Sequence, residues 1–232
     1  MSKLYAESHR KLQREFDTER LADRIEERLF HEHITPDDQA FIERMDMFFL
    51  ATADREGRPN CSYKGGDPGF IRVLDSKTLA FPNYDGNGMY LSMGNTLANP
   101  EVGLLFIDFE KQKRMRLNGT AGIVPAGSIE PAYPEAQFVV KVHVAQVFPN
   151  CPRYIHKMQL VERSSFVPRA AVETPVPGWK RSEWACDVLP AGDPALLPAS
   201  GGHFRAVVSE QPPAADHSAG GGSVAQEILE AQ

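Results

Sequence analysis

The chain has 232 residues, 42% of them hydrophobic, enough for one generous domain or two small ones around a real apolar core. Its 25 basic and 31 acidic side chains give a formal charge of -6, which argues against a general nucleic-acid binder needing a basic field to displace counterions. The longest apolar runs, such as 47–53 and 102–107, are far shorter than the roughly 20 residues that cross a bilayer, so no membrane span is expected.

Met1-Ser2-Lys3-Leu4-Tyr5 leads into a charged stretch with neither the apolar core nor the small-residue cleavage site of a secretory signal, and a cytoplasmic protein is expected. From 3 to 33 the chain is dense in charge, while Leu12, Phe16, Leu21, Ile25 and Leu29 recur every four or five residues. That spacing predicts one or two amphipathic helices, a helical arm over 1–34 whose narrow apolar stripe docks on something else. A helix start follows: Thr35 caps, Pro36 suits the first position, and Asp37 and Asp38 sit where the dipole favours negative charge, with the helix ending near Met45.

The period then changes. Residues 47–53 read as a buried strand, closed by the turn Asp54-Arg55-Glu56-Gly57, with a partner strand over 58–64. After Gly65-Gly66-Asp67-Pro68-Gly69, strands are predicted at 70–74 and 78–82, joined by Asp75-Ser76-Lys77. A loop over 83–88 leads to a helix at 89–98, stopped by Asn99-Pro100. Strands follow at 102–108, at 114–118 with polar and apolar residues alternating, and at 138–148. Many strands with few helices between them predict an antiparallel barrel or sandwich. Residues 154–163 read as a possible helix, 166–208 as a Pro-rich extended arm, and 209–232 as a disordered tail.

Three segments carry candidate chemistry. The glycine-rich loop before the helix at 89–98 presents backbone donors and a positive dipole end, which suits a phosphate, with Asn87, Ser92 and Asn95 as side-chain donors; a plain turn with caps explains the same residues. Cys61-Ser62-Tyr63-Lys64-Gly65-Gly66 ends a strand in the manner of a segment lying against a ring cofactor, or of an ordinary hairpin end with a solvated Lys64. On 111–116, Arg114 and Arg116 share the face opposite Met115 and Leu117, and either meet an anionic ligand or form a solvated charged face. His31 and His33, two apart at a helix end, do not face each other as metal ligands would, and His143 alternates with valines as an exposed residue. Cys61, Cys151 and Cys186 are widely spaced, so neither a disulfide framework nor a zinc site is indicated. No nucleophile triad or dinucleotide glycine fingerprint appears.

Together the segments 48–53, Gly57-Arg58-Pro59, Ser62-Tyr63-Lys64-Gly65-Gly66, Phe81-Pro82-Asn83 with Gly86-Asn87, 99–107, 114–121 and 147–154 resemble the pyridoxamine 5'-phosphate oxidase-like FMN-binding split-barrel family, over about 35–161. The resemblance implies a mainly β (α+β) fold, a six-stranded antiparallel split barrel with flanking helices spanning 35–165. It also implies a homodimer with FMN in a cleft between subunits. Ser62, Tyr63, Lys64, Pro82 and Asn83 would lie along the flavin, Asn87, Gly88, Ser92 and Asn95 would hold its phosphate, and Arg114 would approach the ring's polar edge. Arg153 is a further candidate ligand contact. The sequence departs from the family where Asn87-Gly88-Met89 replaces the phosphate-gripping Arg-Lys pair, and where the substrate-binding Arg-x-His and the closing Arg-Leu-x-Pro are absent, which argues against activity on pyridoxamine phosphate. The expected function is an FMN-dependent oxidoreductase moving a hydride to or from a small molecule, with no metal and no identified catalytic side chain. A haem or deazaflavin barrel, or a flavin-binding module without turnover, are the rivals.

Overall fold

The structure is a computed structural model and describes residues 2–197. The tail expected over 209–232 and the end of the arm expected over 166–208 lie outside the described residues. The chain divides into two compact units, the first ending at Val172 and the second beginning at Glu173.

The first unit opens with helices α1 (Glu7–Glu15) and α2 (Glu19–Leu29), braced by ion pairs from Arg10 to Asp23 at 2.7 Å and from Arg14 to Glu19 at 3.6 Å. Within the single chain the apolar stripe is exposed: Phe16 is 70% and Leu21 60% accessible, and Leu12, Ile25 and Leu29 are exposed too. The pair is tied to the sheet beyond its end, where His31 forms an isolated bridge with Val147 and Phe30 meets Phe148 at 6.5 Å. His31 lies past the end of α2, so its ring does approach that of His33, at 5.6 Å, contrary to the helical spacing assumed from sequence. Its Nε2 is bonded to Asp38 Oδ2 at 2.7 Å.

Helix α3 (Pro36–Glu43) starts as its cap residues dictate: Thr35 Oγ1 accepts from Asp38 N at 3.2 Å and Asp38 Oδ2 accepts from Thr35 N at 2.9 Å. It leads into β1 (Met47–Ala53), and Gly57, at φ 81°, turns the chain into β2 (Pro59–Gly65). The remaining elements are β3 (Arg72–Asp75), β4 (Thr78–Asn83), α4 (Leu91–Ala98), β5 (Glu101–Asp108), β6 (Lys113–Pro125) and β7 (Phe138–Asn150). The strands form one antiparallel sheet in the order β2-β1-β5-β6-β7-β4-β3, seven strands where six were expected. No ladder joins β2 to β3, so the sheet is not closed by hydrogen bonds.

The sheet is nevertheless rolled. Phe48 on β1 and Phe81 on β4 are four strand steps apart, about 19 Å along a flat sheet, yet their ring centroids are 4.9 Å apart. The rolled inner face holds the core: Phe48, Leu50, Leu79, Phe81, Leu104, Phe106, Leu117, Val142 and Val147, with Ile42 of α3 and Met93 of α4 at its ends. Each such side chain contributes about 1.5–3 kcal/mol on leaving water, and this burial drives the curl. A second cluster of Ala80, Ile129, Tyr133 and Val139 covers the outside of β4 and β7. A bulge between Asn118 and Gly119 bends β6 against β7; a Cβ on Gly119 would stand 2.1 Å from the His143 carbonyl oxygen.

Residues 154–163 are not helical, against the sequence expectation. Tyr154 takes a left-handed φ of 69°, and the segment's backbone bonds outward instead: Met158 N donates to Phe109 O at 3.2 Å, and Ile155 O accepts from Gln112 Nε2 at 2.8 Å. The second unit contains a buried ion pair, Lys180 to Asp193 at 2.7 Å, and a stacked pair, Trp179 and Trp184, at 5.8 Å.

Candidate functional site

Successive side chains on a strand point to opposite faces, so the β1–β2 ladder sorts the candidate residues. Phe48, Leu50 and Thr52 face inward opposite Lys64, Ser62 and Asn60 respectively. Helix α4 then lays Ser92 and Asn95 against this row. Asn60 Nδ2 donates to Ser92 Oγ at 3.0 Å, the Ser62 and Ser92 hydroxyls share a hydrogen bond at 2.9 Å, and Asn95 Nδ2 donates to Thr52 Oγ1 at 3.1 Å. Ser92 is only 6% exposed. The structure thus joins Ser62, Ser92 and Asn95 in one cluster of neutral donors and acceptors. Sequence reasoning missed two of its members, Thr52 and Asn60. Asn60 was legible, being two residues before Ser62 on the same face; Thr52 was hidden within an apolar run.

Lys64 stands one pleat along from Ser62 on that face. It is half-buried, burial pushes its amine below the ordinary value, and no hydrogen bond or ion pair to it is found among the described residues. A desolvated cation beside hydroxyls is stabilised by an anionic ligand.

The loop between β4 and α4 is set by Gln137, another residue the sequence did not flag, since it lies 54 residues from Asn83. Its Oε1 accepts from Asn83 Nδ2 and from Tyr90 Oη, both at 3.0 Å, and its Nε2 donates to Asp85 Oδ1 at 3.2 Å. Pro82 is buried in the ladder opposite Val139. Asn87 is exposed and accepts from Met89 N at 3.1 Å, an Asx turn that leaves it apart from Ser92, and Gly88 takes the left-handed φ of 75° that such a loop requires. Tyr84 has its phenol pushed up by burial and by the charge of Asp67, which brings the loop after β2 electrostatically close to the end of β4.

Two expected site residues lie elsewhere. Tyr63 points to the outer face, 61% exposed, with its ring edge-on to Phe49 at 6.2 Å. Arg114 is also on the outer face, in register with Ile107 and Asn150, with β5 and β1 between its strand and β2. The Nε of Arg114 and the Oδ1 of Asn150 are buried without a hydrogen-bond partner. Beside them, hydrogen bonds from Arg153 and the charge of Arg114 hold the exposed Cys151 thiol below its ordinary value. No group of three or more His, Cys, Asp or Glu that would hold a metal occurs among the described residues.

The sequence profile of the family described as pyridoxamine 5'-phosphate oxidase matches residues 34–151, and the chain belongs to that family. Solved structures are similar over part of the chain. A putative pyridoxamine 5'-phosphate oxidase from Lactobacillus delbrueckii is 22% identical, with 51% of this chain and 95% of that chain covered at a TM-score of 0.41. HutZ, a heme storage protein from Vibrio cholerae, is 16% identical, covering 50% and 94%, at 0.35. An FMN-binding protein from Syntrophomonas wolfei is 12% identical, covering 60% and 97%, at 0.39. No curated protein matches the chain.

Proposed function

We propose that this protein is a homodimeric FMN-dependent oxidoreductase. The observation that carries the reading is Lys64, a half-buried cation with no acid beside it, adjoining the Ser62–Ser92 hydroxyl pair. Family membership supports the same cofactor.

The residues fit the group in a particular way. Ser62, Ser92 and Asn95, with the start of α4, supply neutral donors for phosphate, and Lys64 supplies the charge that the missing Arg-Lys pair would have given. Pro82 and Asn83, the latter held by Gln137, would border the same ligand. Bound FMN would supply hydride transfer, and no protein acid or base is needed for that step.

Arg114 gives the reason for two copies. It lies on the face opposite Lys64 and three strand steps from β2, about 14 Å along the sheet, so one ligand cannot meet both within a chain. Its outer face is apolar around it, with Phe49 and Ala51 of β1 and Leu105 and Ile107 of β5 partly or fully accessible, a surface suited to a second copy. In the dimer, the Arg114 guanidinium of one protomer would reach the groove of its partner.

Absorbance of the freshly purified protein, followed by titration of the stripped protein with FMN, haem and a deazaflavin, tests the cofactor. Paired bands in the near ultraviolet and blue, lost in Lys64→Gln, are expected; a single intense Soret band would assign haem and overturn the reading. Photoreduced protein that passes electrons to no organic acceptor would reduce it to a flavin-binding module.

A further inference from the structure

Helices α1 and α2 carry an apolar stripe left open among the described residues: Leu12, Phe16, Leu21, Ile25 and Leu29 are between 41% and 70% exposed. We propose that this stripe clasps a second copy of the chain, beside the outer-face contact already assigned to the dimer. The inference rests on that homodimer and not on the identity of the cofactor.

Three observations select this occupant. The first is where the arm is fastened. Phe148 and Gln146 lie on the outer face of β7, in register with Arg116 and Asn118 of β6. The ring of Phe30, directly after α2, meets that of Phe148 at 6.5 Å, and Gln146 Nε2 donates to Lys3 O at 3.3 Å. Lys3 N donates in turn to Glu26 Oε1 at 2.7 Å, and Ser2 Oγ to Glu26 Oε2 at 2.6 Å. Helix α2 is thereby held on the side of the sheet that carries Phe49, Leu105 and Arg114, with only β6 between β7 and β5.

The second is height. A helix with its side chains is about 10–12 Å thick, and sheets packed face to face stand about 10 Å apart. An arm raised on the outer face is therefore level with the strands of a copy packed on that face, and flanks them. Ile25 is one residue from the fastened Glu26, a rotation of about 100° around the helix. The stripe thus faces along the sheet, at the level of the partner, rather than straight outward.

The third is size and charge. A stable interface takes about 20–30 residues a side, whereas strand alternation turns only every second residue of β2, β1 and β5 outward. The stripe extends that contact with apolar surface. Acids and bases on α1 and α2 nearly cancel, and several are paired, as Arg10 with Asp23 at 2.7 Å and Arg24 with Glu27 at 3.1 Å. No cationic field is left to favour an anionic lipid surface or a nucleic acid over an apolar protein face.

Sedimentation velocity of the full chain over a concentration series, joined to photo-crosslinking, tests the clasp. Phe16→Asp and Leu21→Asp change side chains that are 70% and 60% exposed, so each chain keeps its fold. A two-fold contact carries every substitution twice, and each should raise the dimer Kd at least about tenfold. Leu21→p-benzoylphenylalanine, irradiated with and without FMN, should give a covalent species of twice the chain mass on a denaturing gel. An unchanged Kd in both aspartate variants, cross-links confined to one chain, or a single-copy parent overturns the proposal. The failures are distinguishable: a single-copy parent removes the homodimer as well, whereas a dimeric parent whose Kd ignores both substitutions removes the clasp alone. A colourless dimer weakened by Leu21→Asp removes the cofactor reading and leaves the clasp standing.

Discussion

Replacing Ser92 by alanine removes one hydroxyl from the centre of the polar cluster. Ser92 is 6% exposed, accepts from Asn60 Nδ2 at 3.0 Å and shares a hydrogen bond with Ser62 at 2.9 Å. In Ser92→Ala the Asn60 donor keeps only a contact of 3.5 Å to Thr52 Oγ1, and no other partner for the Ser62 side chain is found among the described residues. Leaving a buried polar group unmatched costs about 1–3 kcal/mol. For a chain of this size about 2 kcal/mol corresponds to a fall in Tm of about 4–8 °C. Thermal unfolding followed by circular dichroism reads this directly, and the double variant with Ser62→Ala should lose less than the sum of the singles because both report the same bond. Additive losses, or a Tm within about 1 °C of the parent, would refute the cluster as described. FMN retention measured on the same samples should drop as well.

Lys64→Met should raise the Tm of the ligand-free protein while weakening FMN, because a half-buried unpaired charge is removed along with the anion's partner. The pH dependence has a definite sign. Burial lowers the Lys64 amine from 10.5, so the unfolded chain holds that proton more readily. Its contribution to stability therefore rises as pH climbs from the lowered value to 10.5, while FMN affinity falls over the same interval as the ammonium is lost; Tm and FMN titrations of parent and Lys64→Met across that range should show both trends. Gly119→Ala drives a Cβ against the His143 carbonyl oxygen at 2.1 Å and should cost about 3 kcal/mol in urea unfolding, whereas Gly122→Ala, with open space around its Cβ, should stay within about 1 kcal/mol of the parent.

Much of the sheet was legible because period and punctuation agree in the chain. The run at Met47–Ala53, the turn at 54–57 and the helix stop at Asn99-Pro100 each combine a local propensity with a matching pattern, and each appears where expected. Local pattern marked all seven strands, and the count of six came from the family resemblance; the bulge at Gly119 and the length of β6 come from pairing with distant segments, which local pattern does not encode. Tyr154 to Arg163 carries helix-compatible residues, but its backbone groups satisfy the β5–β6 turn instead. Within the candidate site, Ser62, Ser92 and Asn95 were recognisable as donors, but their mutual bonding depends on α4 folding across β1 and β2. Strand alternation puts the Tyr63 side chain on the face opposite Ser62 and Lys64, a division that reading the three residues as one segment does not reveal.

The central claim is that Lys64 and Arg114 from different copies serve one flavin, and complementation measures it most directly. Lys64→Met and Arg114→Met, purified separately, should each hold little FMN. Co-expressed, they form heterodimers in which one groove is intact and the other doubly altered, so about a quarter of all sites should recover flavin. A co-expressed mixture that binds no more flavin than the two variants apart would contradict the account.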